Sequence, residues 1–306
     1  MKLGLTCPRF IWPGGTAAIA PTFARVARGA EEAGLDSFWV MDHFFQIPNF
    51  GAAEDPMPEA YSALSYAAAL TRRVTLGTLV TGVTHRAPGL LLKQVTTLDV
   101  LSGGRAVLGI GAGFHEEEHR GLGFRLPPVA ERFERLEETL RIARLMWGEG
   151  DAPFEGRHYR LERTLNSPQA LSRPHPPILI GGGGERRTLR LVAEYGDACN
   201  LFHGADIPHK LGVLRAHCEA VGRPYEAVEK TLHMRIPEGQ SVAESVQRCG
   251  DLAEQGIDHV IVALPDPSTD AALAHLAALA AQVGGGTRRP GGDRRPGDGK
   301  AEGPVP

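Results

Sequence analysis

Two kinds of segment alternate along residues 1–285. Short runs rich in β-branched and aliphatic side chains fall at 2–6, 37–41, 74–83, 106–110, 177–180, 198–202, 228–236 and 259–264. Bounded by Gly, Pro and charged residues, such runs predict buried strands. The longer segments between them, at 16–33, 59–71, 90–101, 131–147, 185–195, 207–221, 242–255 and 270–283, carry apolar residues at helical spacing. In 131–147 the apolar stripe is Phe133, Leu136, Leu140, Ala143 and Met146, with Glu and Arg on the opposite face. Strict alternation argues for a parallel sheet, because each parallel return needs a crossover helix. Eight such units predict an α/β fold, a TIM (β/α)8 barrel, with a doubly wound open sheet as the rival.

Two stretches break the rhythm. Residues 148–176 hold Phe154-Glu155-Gly156-Arg157-His158-Tyr159, a turn between short strands, and then Pro-rich connections. They read as an insertion after the fourth helix, a wall or lid over the pocket. Residues 286–306, GTRRPGGDRRPGDGKAEGPVP, contain no aromatic side chain and one aliphatic, Val305. They bury too little apolar surface to offset ordering entropy, so a disordered tail is expected beyond a barrel domain at 1–285.

Composition narrows the function class. The chain has 33 basic and 36 acidic residues, a net charge of -3, which argues against nucleic-acid binding through bulk charge. Its 42% hydrophobic content supports a large core. The four cysteines, Cys7, Cys199, Cys218 and Cys249, form no C-x-x-C pair or disulfide framework, which fits a reduced cytoplasm. The first residues are too short an apolar run for a secretion signal, and no apolar stretch is long enough to span a membrane.

Barrel active sites form where strands end and helices begin. After the second strand stand Asp42 and His43, an acid and an imidazole able to move a proton near neutral pH, or simply a loop hydrogen bond. The third strand exits through Leu79-Val80-Thr81-Gly82-Val83-Thr84-His85, whose small and β-branched residues let a flat ring lie against the backbone. The fourth exits through Gly111-Ala112-Gly113-Phe114, then His115-Glu116-Glu117-Glu118-His119. That last run matches H-E-x-x-H, which on a helix would set His115 and His119 on one face for zinc. No third ligand is evident, and a Glu-rich first turn suits a helix N-terminus without metal, so no metal is expected. The fifth strand ends in Gly181-Gly182-Gly183-Gly184 followed by Arg186 and Arg187, a phosphate cradle by its free amides and helix dipole, or a plain flexible turn. Asp197 reads as structural and Cys199 as a small buried hydrophobe. These residues describe a barrel with a phosphate-bearing cofactor and leave the cofactor open.

Taken together, FWVMDHFF at 38–45, LGTLVTGVTHRAP at 76–88, KQVTTLDVLSGGRAVLGIGAGFHEEEH at 93–119 and PPILIGGGGERRTLRLVAEYGDACN at 176–200 resemble the bacterial luciferase-like monooxygenase superfamily and, within it, the F420-dependent oxidoreductase branch. The resemblance implies a barrel, commonly dimeric, with a non-prolyl cis peptide near Leu79-Val80. It implies cofactor contacts at Asp42, around Leu79, Val80, Thr81 and Gly82, at Gly111, Ala112 and Gly113, and at the phosphate loop Gly181, Gly182, Gly183 and Gly184. By the same analogy His43 is the proton donor or relay. Some sugar-phosphate members carry a catalytic carboxylate where this chain has Phe114, so the implied substrate is a small, weakly charged organic molecule. The implied activity is hydride transfer with coenzyme F420. The alternatives are an FMN-dependent monooxygenase and a non-catalytic cofactor-binding protein.

Overall fold

The computed structural model describes residues 1–202 and 204–284; the expected tail at 286–306 lies outside them. The elements follow in the order β1 (Lys2–Cys7), α1 (Thr16–Glu32), β2 (Ser37–Asp42), α2 (Ala60–Leu70), β3 (Thr75–Gly82), α3 (Pro88–Ser102), β4 (Ala106–Gly111), α4 (Glu116–Leu122) and α5 (Val129–Met146). Then come β5 (Phe154–Glu155), β6 (Arg160–Leu161), β7 (Ile178–Gly181), α6 (Thr188–Tyr195), β8 (Ala198–Phe202), α7 (Ile207–Ala220), β9 (Glu229–Arg235), α8 (Val242–Glu254), β10 (His259–Ala263) and α9 (Asp270–Val283).

Eight parallel strands close in the order β1-β10-β9-β8-β7-β4-β3-β2. Closure excludes the open-sheet rival. Local chemistry agrees with the boundaries. Pro88 opens α3, where its missing N–H costs nothing, and Gly103 closes it at φ 74°. Ser241 and Glu244 form a capping box at the start of α8.

The main core lies between the sheet and its ring of helices. A second cluster, Trp39, Leu179, Ala198 and Ile261 with Leu79, Val80 and Val107, fills the barrel interior. A filled interior leaves only the strand ends for chemistry.

The ladder of β3 shifts register against β2 between Val40 and Asp42, and against β4 between Gly77 and Thr81. The peptide between Leu79 and Val80 is cis, at the predicted place. This irregular stretch constrains three glycines beside it. A Cβ on Gly109 would lie 1.8 Å from the Thr78 carbonyl oxygen, so only glycine fits there. A Cβ on Gly111 or Gly181 would meet the Val80 methyls at 3.0 Å. Val80 therefore points across the barrel mouth toward the ends of β4 and β7.

The insertion at 148–176 departs from expectation. Its hairpin β5–β6 is antiparallel and lies against α5, where Glu138 accepts the amides of Arg157, His158 and Tyr159. Asp99 of α3 accepts the amides of Leu171 and Ser172. Two helix-borne carboxylates thus pin the segment to the outside of the barrel. None of its residues lines the main cavity, so it is no lid over that cavity.

Candidate active site

A cavity of about 710 Å³ opens at the C-terminal ends of the strands. That volume suits a cofactor-sized ligand. Leu79, Val80 and Gly82 line it from β3, Gly111, Ala112 and Gly113 from the end of β4, and Gly181 to Gly184 from the end of β7. His43 lines it from the loop after β2. The structure thus brings most of the predicted residues to one wall. Phe114, Phe133, Phe202, Ile47 and Phe50 supply the apolar remainder.

Two predicted residues do not line the cavity. Asp42 is 1% exposed, and Arg86 binds both of its carboxylate oxygens, Nη1 to Oδ2 at 2.6 Å and Nη2 to Oδ1 at 3.0 Å. Arg86 also donates to Glu59 at 2.5 Å. Burial alone would raise the Asp42 carboxyl, but His85 and Arg86 outweigh it and hold the group below its usual range. Asp42 is spent on this buried pair and does not orient His43. Thr81 is also fully buried, its hydroxyl bonded to Tyr61 Oη and Thr78 Oγ1, each at 2.9 Å.

The carboxylate that meets His43 is Glu118. His43 Nδ1 donates to Glu118 Oε1 at 2.8 Å, which leaves Nε2 as the nitrogen without a partner among the described residues. Glu118 Oε2 accepts the amide of Phe44 at 2.8 Å and that of Phe45 at 3.4 Å. The first turn of α4 therefore clamps the loop after β2. On α4, Glu118 and His119 are buried while Glu116 and Glu117 face solvent. Chain spacing alone gave Glu118 no distinction from its two neighbours.

His85, just beyond the end of β3, sits between two carboxylates, a place its sequence position did not announce. Its Nε2 is 3.3 Å from Glu118 Oε1 and its Nδ1 3.8 Å from Asp42 Oδ2. Burial would lower the imidazole, but the two carboxylates outweigh it and raise its pKa to about 9. His85 is thus an imidazolium at neutral pH. Glu118 responds in turn: burial would raise it, yet His43, His85 and the Phe44 amide hold its carboxyl far below the usual range.

The H-E-x-x-H run does not build a facing histidine pair. His115 caps α4 from outside the helix. His119 Nδ1 donates to the His115 carbonyl at 2.6 Å, and its Nε2 accepts from the Thr84 hydroxyl at 2.7 Å. His85, Glu118 and His119 bring ligand-type atoms within 4.8 Å of one another, but hydrogen bonds and ion pairs already engage them.

Beside the end of β4, the glycine loop joins β7 to α6. The Gly182 amide bonds the Asn200 carbonyl at 3.1 Å. The amides of Gly183 and Gly184 have no protein partner among the described residues. Thr188 at the helix start also lines the cavity. Lys210 of α7 comes up beside Gly183, paired with Glu185 at 2.5 Å. Amides, hydroxyl, helix start and a nearby lysine offer donors suited to an anion.

His233 and Arg235, at the end of β9, were not singled out from the sequence, although both line the cavity. The rule that strand ends carry the site reaches them once the strand is placed. Asp197, as expected, is structural, accepting the Ile178 amide at 2.8 Å where β7 begins. All four cysteines are buried and free. No helix among the described residues is long and apolar enough to cross a membrane.

The chain is 33% identical over 225 residues to an F420-dependent glucose-6-phosphate dehydrogenase of Kineococcus radiotolerans, covering 71% of this chain but only 64% of that longer relative. Among solved structures, an F420-dependent secondary alcohol dehydrogenase in complex with an F420-acetone adduct superposes with a TM-score of 0.78 at 17% identity, over 92% of this chain and 98% of that one. The FMN complex of a type II Baeyer-Villiger monooxygenase from Pseudomonas putida superposes with a TM-score of 0.74 at 16% identity, over the same shares. At such identities these superpositions establish the barrel alone. The family model described as luciferase-like monooxygenase matches residues 1–300, and with the closed barrel and the glycine-lined mouth this makes the chain a member of the luciferase-like monooxygenase family.

Proposed function

We propose that this protein is an F420-dependent oxidoreductase that moves a hydride between coenzyme F420 and a small, weakly charged organic substrate. One observation carries the reading: an anion cradle and an imidazole with a free Nε2 face the same cavity. The name of the Kineococcus relative supports F420 as the cofactor.

The residues present fit such a group. Gly183, Gly184 and Thr188 offer donors to its phosphate, and the Val80 bulge, with Gly111 and Gly181 kept bare beside it, offers a flat apolar wall for its ring. When bound, F420 supplies a ring carbon that gives or takes a hydride, with the protein left to position the reactants. His43 Nε2 gives or takes the accompanying proton, and Glu118 keeps the other ring nitrogen protonated so that Nε2 is the acting atom. Phe114, Phe202 and Phe50 line the cavity with apolar surface.

Phe114, in the loop before α4, lines the cavity at 63% exposure, and no carboxylate lines the cavity among the described residues. This argues against the sugar-phosphate chemistry of the Kineococcus relative. The glycine cradle would accept the phosphate of FMN as well, which keeps an FMN-dependent monooxygenase as the second reading.

The test is a fluorescence titration of the purified protein with F420 and with FMN. Tight F420 binding with much weaker FMN binding is expected, followed by turnover of an organic hydride acceptor under reduced F420. Preference for FMN, with oxygen consumed in the presence of a reductase, would replace the proposal with the second reading. Tight F420 binding with no turnover of any acceptor would make the protein a cofactor carrier.

A further inference from the structure

Several of the polar groups around the cavity are donors. Asn200, 1% exposed, accepts the Thr231 hydroxyl on Oδ1 at 2.9 Å, which leaves its NH2 as the remaining group. The amides of Gly183 and Gly184 and the Thr188 hydroxyl stand at the β7 end. At the β9 end stands Arg235, the one arginine or lysine lining the cavity among the described residues. A cavity rich in donors and, among the described residues, free of carboxylates takes acceptor-rich, anionic ligands.

Arg235 is held in place. Its guanidinium stacks 4.2 Å from the centre of the Phe50 ring, and Nη2 donates to the Asn49 carbonyl at 3.2 Å. Asn49 and Phe50 belong to the loop that follows His43, so the cation is tied to the segment that carries the proton-transfer group. Arg86 and Lys210 are each paired with carboxylates, whereas Arg235 has none within 4.0 Å among the described residues. His233, two residues earlier, is pushed down to about 4 by burial and by Arg235, so its ring adds no second charge.

We propose that Arg235 docks a carboxylate on the substrate, so that the substrate is an apolar body bearing a single acid group; this rests on the F420-linked reading above. A planar guanidinium with donors still free matches a carboxylate through two parallel hydrogen bonds. The His85 imidazolium also lines the cavity but is already answered by Asp42 and Glu118, so Arg235 is the lining cation left to answer one negative charge among the described residues. Phe50, Phe114, Phe202 and Ile47 suit the apolar body. The two ends of the cavity then divide the work, the β7 cradle holding the cofactor's phosphate and the β9 arginine the substrate's acid.

The experiment compares benzoate with its neutral isostere benzamide by titration calorimetry, on the protein alone and after loading with F420. Wild-type protein is expected to bind benzoate roughly tenfold or more tighter than benzamide, as befits a charge-assisted pair. Arg235→Met should abolish that preference while F420 affinity, read by fluorescence, stays the same. Arg235→Lys should retain part of it. Equal binding of the two probes by wild type, or a benzoate preference that survives in Arg235→Met, would overturn the proposal. So would a loss of F420 affinity in Arg235→Met, which would assign the arginine to the cofactor. Failure of wild type to bind F420 would sink the reading beneath it, a result visible separately from the benzoate arm on the protein alone.

Discussion

Replacing Glu118 with Gln keeps the shape of the side chain and removes one buried negative charge. The wild-type carboxylate meets His43 Nδ1 at 2.8 Å, His85 Nε2 at 3.3 Å and the amides of Phe44 and Phe45 at 2.8 and 3.4 Å. All four partners are donors. An amide presents one acceptor and one NH2, so it turns a donor toward one pair of them. Removing one partner of a buried ion pair costs roughly 3–5 kcal/mol. Asp42, at 3.8 Å, still answers His85 in part, which points to the low end, about 3 kcal/mol. For a barrel of this size that is a fall in Tm of roughly 5–10 °C.

The pH dependence follows from the two shifts. Glu118 is depressed from 4.5, so its contribution is complete above that value and fades only as pH falls through the lower folded pKa. His85 is raised from 6.5 to about 9, so its contribution is complete below 6.5 and fades as pH rises through about 9. The gap between wild type and Glu118→Gln should therefore be widest between 4.5 and 6.5 and narrow toward alkaline pH, where a neutral His85 no longer needs the countercharge. Differential scanning calorimetry at about pH 6 and at about pH 10 reads both quantities. Equal Tm values at the lower pH, or a gap that persists unchanged at the higher one, would refute the ion-pair argument.

His43→Ala should keep F420 affinity in a fluorescence titration and lose about 10²–10⁴ in turnover, the usual worth of a positioned proton donor; unchanged turnover would remove His43 from the chemistry. Gly109→Ala should prevent the native β3–β4 pairing, because its Cβ would lie 1.8 Å from a backbone oxygen, and soluble yield with circular dichroism would show it. Gly181→Ala, tight against the Val80 side chain at 3.0 Å rather than against backbone, should fold with a modest loss of stability and weaken F420 binding; unaltered affinity would count against Val80 as the ring wall. Lys210→Met should weaken F420 binding more at low salt than at high salt, and salt-independent affinity would exclude the lysine from the phosphate end.

Much of this protein is written along the chain. The period of its apolar positions specifies eight strand-helix units, because a parallel strand cannot return without a crossover. The bare glycines at 181–184, with Gly111 and Gly113, announce a mouth where a ligand meets backbone, and His43 follows from its place just beyond a strand. These are local signals, carried by neighbours within a few residues. The partners of His43 are not local. Asp42 is adjacent in sequence, yet strand alternation sends it into the Arg86 pair, while Glu118, 75 residues away, reaches the imidazole from the first turn of α4. Among three consecutive glutamates, only helix orientation decides which one is buried. The insertion at 148–176 is likewise assigned by contact, since Glu138 and Asp99 fasten it to the outside of the barrel. Arg235 gains its meaning only when barrel closure brings β9 against the loop after β2. Sequence sets the period and the backbone allowance at each position; the closed barrel alone decides which distant charges share one low-dielectric space, where their pairing is worth enough to set protonation.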